Sequence, residues 1–209
     1  MKTSVRTLLL CLVLSASLCL PVLAAGFDPA PMKEDPAYTV TEDPDQDMVV
    51  VSLEPEYKSV RFQTPLSSRY YSDITASIYA NPSSSAGVFM IVLNLRTQKP
   101  LNAEKAELAV DGKKYTVTGL QAPVSAMDDK ESLERVMITI DSEAGAEDFL
   151  NELLSDKGQW KITVSGADGT VSFEVPDTAR TLISAMLRKY LDCGGLLGKM
   201  EGASVFAGN

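Results

Sequence analysis

Short runs in which apolar and polar residues alternate recur along this chain, and they restrict its fold more than any other feature. The alternation is clearest at Val136, Ile138 and Ile140, and it returns over 160–164 and 171–175. Because successive side chains of a strand point to opposite faces, a period of two predicts strands with one buried face. Roughly eight or nine such strands predict a mainly β chain, an antiparallel β-sandwich that is immunoglobulin-like in style.

Two further signals support this architecture. Residues 87–95 are almost continuously apolar, which predicts a strand covered on both faces. Asp111-Gly112 lies between two short alternating runs, and this dipeptide is typical of a tight hairpin turn.

Two stretches have the period of a helix instead. Ser142 is a candidate N-cap for a helix near 143–156, and Gly158 follows where that helix would end. Asp177 is a candidate N-cap for a C-terminal helix near 177–193, whose apolar residues form a stripe suited to covering a sheet.

The first residues resemble a secretion signal, predicted to span 1–24. Lys2 and Arg6 precede an apolar run from Leu8 to Leu20, and Ala24 offers the small residue that signal peptidase requires. The run is shorter than the ~20 residues of a membrane span. An uncleaved anchor and a lipid-bearing Cys19 remain alternatives. We therefore expect an exported protein, periplasmic or secreted, with no transmembrane span after processing.

Composition divides the remaining chain into three parts. Residues 25–47 are rich in proline and acids and predict an extended tether, although Tyr38 and Val40 could start a peripheral strand. Residues 48–195 would form the β-sandwich domain with its two helices. Residues 196–209 are glycine-rich and predict a loosely packed tail.

The charged residues narrow the possible functions. The chain has no histidine, which excludes histidine-dependent triads and histidine-ligated metals. Its formal net charge of −9 argues against nucleic acid as a partner. We expect no cofactor.

One spacing of acids is that of a calcium-binding loop. Asp43, Asp45, Asp47 and Glu54 occupy ligand positions of a twelve-residue loop. Met48, however, stands where such loops need glycine for a sharp turn. The preferred interpretation is a solvated acidic linker without metal.

Two other groups are candidates for catalysis. The acidic cluster Asp128-Asp129-Lys130-Glu131 could serve a hydrolase, but a polar loop explains it more simply. Cys193 would be the only cysteine left after signal cleavage, so no internal disulfide is expected. Its place at a helix C-terminus beside Asp192 disfavours a nucleophilic thiolate.

Tyr70 and Tyr71 are the candidate binding residues. Adjacent residues of a strand point to opposite faces, so one of these tyrosines would be exposed and available for contact. An ordinary edge-strand tyrosine is the alternative interpretation.

The C-terminal half resembles a known family. Over 136–191 the order is strand, helix, strand, Asp-Gly turn, strand and helix, with Phe149-Leu150-Asn151-Glu152-Leu153 in the first helix. This order is similar to that of the invasion-associated locus B family of small exported envelope proteins. The resemblance implies a β-sandwich of the bacterial envelope and carries over no functional residues.

Together these patterns predict an exported, non-enzymatic envelope or secreted protein that binds another macromolecule. The partner would be another envelope or extracellular protein. The alternatives are a carboxylate-dependent hydrolase built on a sandwich and a structural subunit of a surface assembly.

Overall fold

The structure is a computed structural model of the chain. It describes residues 26–53, 60–64, 71–118, 120, 122–128, 131–140, 146–155 and 157–198. The predicted signal peptide 1–24, Tyr70 and Glu54 lie outside the described residues.

Most described strands belong to one large sheet. Its strands are β1 (Tyr38–Asp43), β2 (Met48–Leu53), β3 (Val60–Phe62), β4 (Ser72–Ala80), β5 (Ala86–Thr97), β8 (Val124–Asp128), β9 (Glu131–Ile140) and β12 (Leu196–Leu197). The main path runs β1-β2-β4-β5-β9-β8; β3 pairs with β4, and β12 pairs with β5. Every pairing is antiparallel except the short one between β12 and β5.

The remaining strands form a second, four-stranded sheet. They are β6 (Ala103–Val110), β7 (Lys113–Thr118), β10 (Trp160–Gly166) and β11 (Gly169–Glu174), in the order β11-β10-β6-β7. Asp111 and Gly112 join β6 to β7 with positive φ values of 45° and 85°. Two consecutive left-handed residues are typical of the type I′ hairpin turn, which asparagine or aspartate followed by glycine favours.

Three α-helices complete the described fold: α1 (Ala30–Lys33), α2 (Ala146–Ser155) and α3 (Asp177–Asp192). The sequence predicts α2 and α3 at nearly these bounds, but it does not predict α1. Phe149 and Leu153 of α2, and Ile183 and Met186 of α3, are buried. The helices therefore cover the core with the apolar stripes that their sequences contain.

The two sheets and the helices share one hydrophobic core. The large sheet contributes the buried residues of one face, here called the inner face, which include Ile78, Ile91 and Ile138. Phe62 of β3 stacks on Phe173 of β11 with ring centroids 4.4 Å apart, so the two sheets are in direct contact. The predicted mainly β, antiparallel, sandwich-like architecture is confirmed.

Tyr190 of α3 closes one end of this core. Its hydroxyl donates to the carbonyl of Leu196 at 3.0 Å, and its ring meets Phe27 edge-on at 5.0 Å. A Cβ on Gly87 would lie only 2.2 Å from the hydroxyl, so β5 can pass this ring only with glycine there. Burial raises the pKa of Tyr190, which keeps the hydroxyl protonated as a donor.

The prediction of an extended tether over 25–47 is wrong for the described part of that segment. Phe27 and Met32 are buried in the core, and β1 pairs with β2 through six consecutive residue pairs. The acids are accommodated because Asp28, Glu34, Glu42 and Asp45 are exposed, while the apolar side chains of Phe27 and Met32 anchor the segment in the core.

The beginning of the predicted tail is also paired. Leu196 donates its amide to the carbonyl of Ser85 at 2.8 Å, and Gly198 donates to Gly87 at 2.9 Å. These bonds place β12 beside the first residues of β5. Residues 199–209 lie outside the described part of the chain.

We predict that Met32→Ala lowers the free energy of unfolding by about 2–5 kcal/mol, because a fully buried side chain leaves a cavity when truncated. The control is the neighbouring Lys33→Ala, which removes only a solvent-exposed ion pair with Glu42 and should cost less than about 1 kcal/mol. Urea unfolding measures both. Equal small losses in the two variants would mean that the segment is a tether after all.

Candidate functional site

The face of the large sheet opposite the core, here called the outer face, has two kinds of surface. Along the middle of β5, the side chains of Val88 and Met90 are buried, although they are not part of the hydrophobic core that the two sheets and the helices share. Val92 of β5 and Met137 of β9 are paired and half-buried beside them. This central part is therefore largely apolar.

A row of polar residues crosses the outer face beyond this apolar part. Arg61, Asp73, Asn94 and Arg135 lie directly opposite one another on β3, β4, β5 and β9. We call these four residues the arginine row. Three strand spacings of about 4.8 Å place its two arginines ~14 Å apart.

Hydrogen bonds fix the middle of the arginine row. Asn94 Nδ2 donates to Asp73 Oδ1 at 2.7 Å, and Arg135 Nε donates to Asn94 Oδ1 at 3.2 Å. Both arginines are exposed. Arg135 is thus oriented through Nε, while its two terminal nitrogens make no hydrogen bond within the described part of the chain. The row therefore has a positively charged arginine at each end and the hydrogen-bonded Asp73–Asn94 pair between them.

Tyr71 lies next to this row. It directly precedes β4 and is 56% exposed, whereas the following residue, Ser72, is buried. The alternation of a strand then puts Tyr71 on the same face as Asp73. This agrees with the prediction that one tyrosine of the pair is exposed; its neighbour Tyr70 lies outside the described residues.

The position of Arg135 depends on the residue before it. Glu134 is completely buried, and its carboxylate accepts the amides of Leu101 at 2.9 Å and Ala103 at 2.5 Å. Those amides belong to the chain that enters β6, so Glu134 joins the large sheet to the small one. Because neighbouring residues of a strand face opposite ways, Glu134 facing inward turns Arg135 outward.

The predicted calcium ligands have other tasks in the described structure. Asp43 Oδ1 accepts the amide of Gln46 at 3.3 Å and caps a single 3₁₀ turn, Pro44–Gln46. Asp47 has a left-handed backbone and bonds the hydroxyl of Ser83. No group of three or more His, Cys, Asp or Glu suited to a metal occurs among the described residues. Glu54 lies outside them.

The other two candidates for chemistry lie apart from the arginine row. Asp128 ends β8 and pairs with Glu131, which begins β9, so this acidic cluster flanks a strand connection. Cys193 is partly buried at the end of α3. Burial raises the pKa of its thiol, and the charges of Asp28 and Asp192 raise it further against the opposing effect of Lys189. The thiol therefore stays protonated near neutral pH.

The sequence predicts Tyr70 and Tyr71 as candidate binding residues, and that role stays a prediction. It does not point to Arg61, Asp73, Asn94 or Arg135. These residues are far apart in the sequence, and only the register of four strands brings them together. The signal available in the sequence is a polar residue at an alternating position within each apolar strand, as Asn94 is in β5.

Comparisons with known protein families, with curated proteins and with solved structures found no match to this chain. The resemblance to the invasion-associated locus B family therefore stays a prediction. No helix in the described part of the chain has both the length and the apolar character needed to cross a bilayer.

We predict that Glu134→Gln lowers the free energy of unfolding by about 2–3 kcal/mol, because its amide group would leave one of the two backbone donors unsatisfied. The matched control is Glu104→Gln, an exposed position on β6 that should change stability by less than about 0.5 kcal/mol. Denaturant titration of both variants gives the comparison. If Glu134→Gln proved as harmless as Glu104→Gln, the bridging role of this carboxylate would be refuted.

Proposed function

We propose that this chain is an exported, non-enzymatic envelope or secreted protein that binds another protein through the arginine row and Tyr71. One observation carries the proposal: two exposed arginines and an exposed tyrosine lie on one face, and a hydrogen-bonded Asp73–Asn94 pair orients Arg135 among them. Arginine and tyrosine are enriched where protein interfaces gain most of their binding energy.

The fixed geometry of the row supports binding. An arginine whose Nε is already bonded loses less conformational entropy when its terminal nitrogens engage a partner. The planar guanidinium matches carboxylates in a bidentate geometry, so acidic side chains of a partner suit this row. The half-buried Val92 and Met137 beside the row offer apolar contact area in the same footprint.

Export is part of the proposal and rests on the sequence of residues 1–24. A basic start, an apolar run and small residues before Gly26 are typical of a cleaved signal peptide. The partner would accordingly be another protein of the envelope or of the extracellular space.

The test is photocrosslinking in the cells that make the protein. We expect a photoreactive amino acid in place of Tyr71 to give one discrete adduct with another protein. The control position is Thr116 of β7, which is exposed on the second sheet and should give no adduct. Adding Arg135→Glu should reduce the Tyr71 adduct by roughly tenfold or more, since reversing a charge that contacts the partner costs at least about 1.4 kcal/mol.

Three results would contradict the proposal. They are the absence of an adduct from Tyr71, equal adducts from Tyr71 and Thr116, and an adduct that Arg135→Glu leaves unchanged. An adduct between two copies of this chain would favour a structural subunit of a surface assembly instead. Circular dichroism of Arg135→Glu checks that the variant remains folded.

A further inference from the structure

The edge strand β1 has a regular free side. It pairs with β2 through six consecutive residues, from Tyr38 opposite Leu53 to Asp43 opposite Met48, without a bulge. No described strand pairs with its other side, where β1 ends the sheet. A strand in this position presents backbone donors and acceptors that another strand can use.

One hydrogen bond identifies which amides of β1 face outward. Tyr38 donates its N–H to the carbonyl of Asp35 at 3.1 Å, so this amide points away from β2. In an antiparallel pair the direction of the N–H groups alternates along the strand. The amides of Val40 and Glu42 therefore also face the free side, while those of Thr39 and Thr41 face β2.

Two other edge strands of the described fold, β7 and β8, carry features that block strand addition, and β1 lacks them. The edge strand β11 is also regular, but Glu174 is its only acid. Lys113 and Lys114 begin the edge strand β7, and lysine at an edge discourages a further strand. The edge strand β8 has a register shift between Ala126 and Asp128. Within β1 there is no lysine, proline or glycine, and its Tyr-Thr-Val-Thr start has high strand propensity.

The acidic residues around this edge determine the charge of a strand that the edge can attract. Glu42, Asp43, Asp45 and Asp47 lie on β1 and the turn that follows it. Among the described residues, Lys33 is bonded to Glu42 at 3.2 Å, and Lys189 lies 3.8 Å from Asp35, just before β1. A second copy of the chain would bring the same acids against this edge, so self-pairing is disfavoured by repulsion. A strand that carries lysine or arginine is attracted.

We propose that the free side of β1 accepts an extended, basic segment of another protein as an additional strand. Backbone hydrogen bonds to Val40 and Glu42 hold the segment, and its basic side chains face the acids of β1 and the following turn. This inference rests on the proposed binding function and names a second contact for it, separate from the arginine row.

The experiment measures binding of a fluorescent seven-residue peptide of alternating lysine and valine to the purified protein by fluorescence anisotropy. We expect saturable binding that weakens as salt is raised, because the attraction between exposed charges is screened. A peptide of alternating glutamate and valine should not bind. The lysine peptide with N-methyl groups on alternate amides should not bind either, since it cannot donate to the edge.

The matched variants are Glu42→Pro and Glu42→Gln. Proline removes an outward amide and is tolerated at an edge strand, so Glu42→Pro should lower the affinity roughly tenfold or more through the lost backbone bond. Glu42→Gln keeps the amide and loses only the charge, and it should lower the affinity less. The melting temperature of each variant checks the fold.

The proposal is overturned if the lysine peptide does not bind, or if the N-methylated or glutamate peptide binds as well. Equal affinities of Glu42→Pro and the unchanged protein would overturn it too. The N-methylated peptide removes the complementary hydrogen bonds of the same pairing, those that the peptide donates to carbonyls of β1. The test therefore remains decisive even if Glu42→Pro does not fold. A negative result together with a persisting Tyr71 adduct removes the edge contact and leaves the proposed function in place.

Discussion

The buried carboxylate of Glu134 is the constraint on which the rest of this structure depends. A carboxylate taken out of water is tolerated only when hydrogen bonds compensate it, and here the amides of Leu101 and Ala103 do so. Those amides belong to the chain that leaves the large sheet and starts the small one. One side chain thereby fixes how β9 of one sheet lies against β6 of the other.

The same constraint determines what the outer face displays. A slip of β9 by one residue would turn Glu134 to solvent, which leaves the amides of Leu101 and Ala103 without their acceptor. It would also bury the charge of Arg135 at a high cost. With the register fixed, Arg135 lies opposite Asn94, and Asn94 lies opposite Asp73. The stability of the core and the composition of the proposed binding surface are therefore two consequences of one strand register.

Much of the fold could be predicted because local patterns decide it. Alternation predicts the strands around Val136–Ile140 and Trp160–Val164, and the helical period predicts α2 and α3. The N-terminal segment was predicted wrongly because its average composition is acidic, whereas two buried residues, Phe27 and Met32, anchor it. The arginine row could not be predicted, since it depends on pairings between strands such as Arg61 with Asp73. The exposure of Tyr71 is different, because alternation within a single strand is enough to predict that one residue of the Tyr70–Tyr71 pair is exposed.

The most direct test of this account is arginine labelling with phenylglyoxal, compared between the purified protein and intact cells that make it. We predict that Arg61 and Arg135 react in the purified protein and are protected in cells, where the partner covers the outer face. Arg188 of α3 is exposed on a helix that packs against the opposite side of the large sheet, and it should react equally in both. Equal labelling of Arg135 and Arg188 in cells and in solution would contradict the claim that the arginine row is a binding surface.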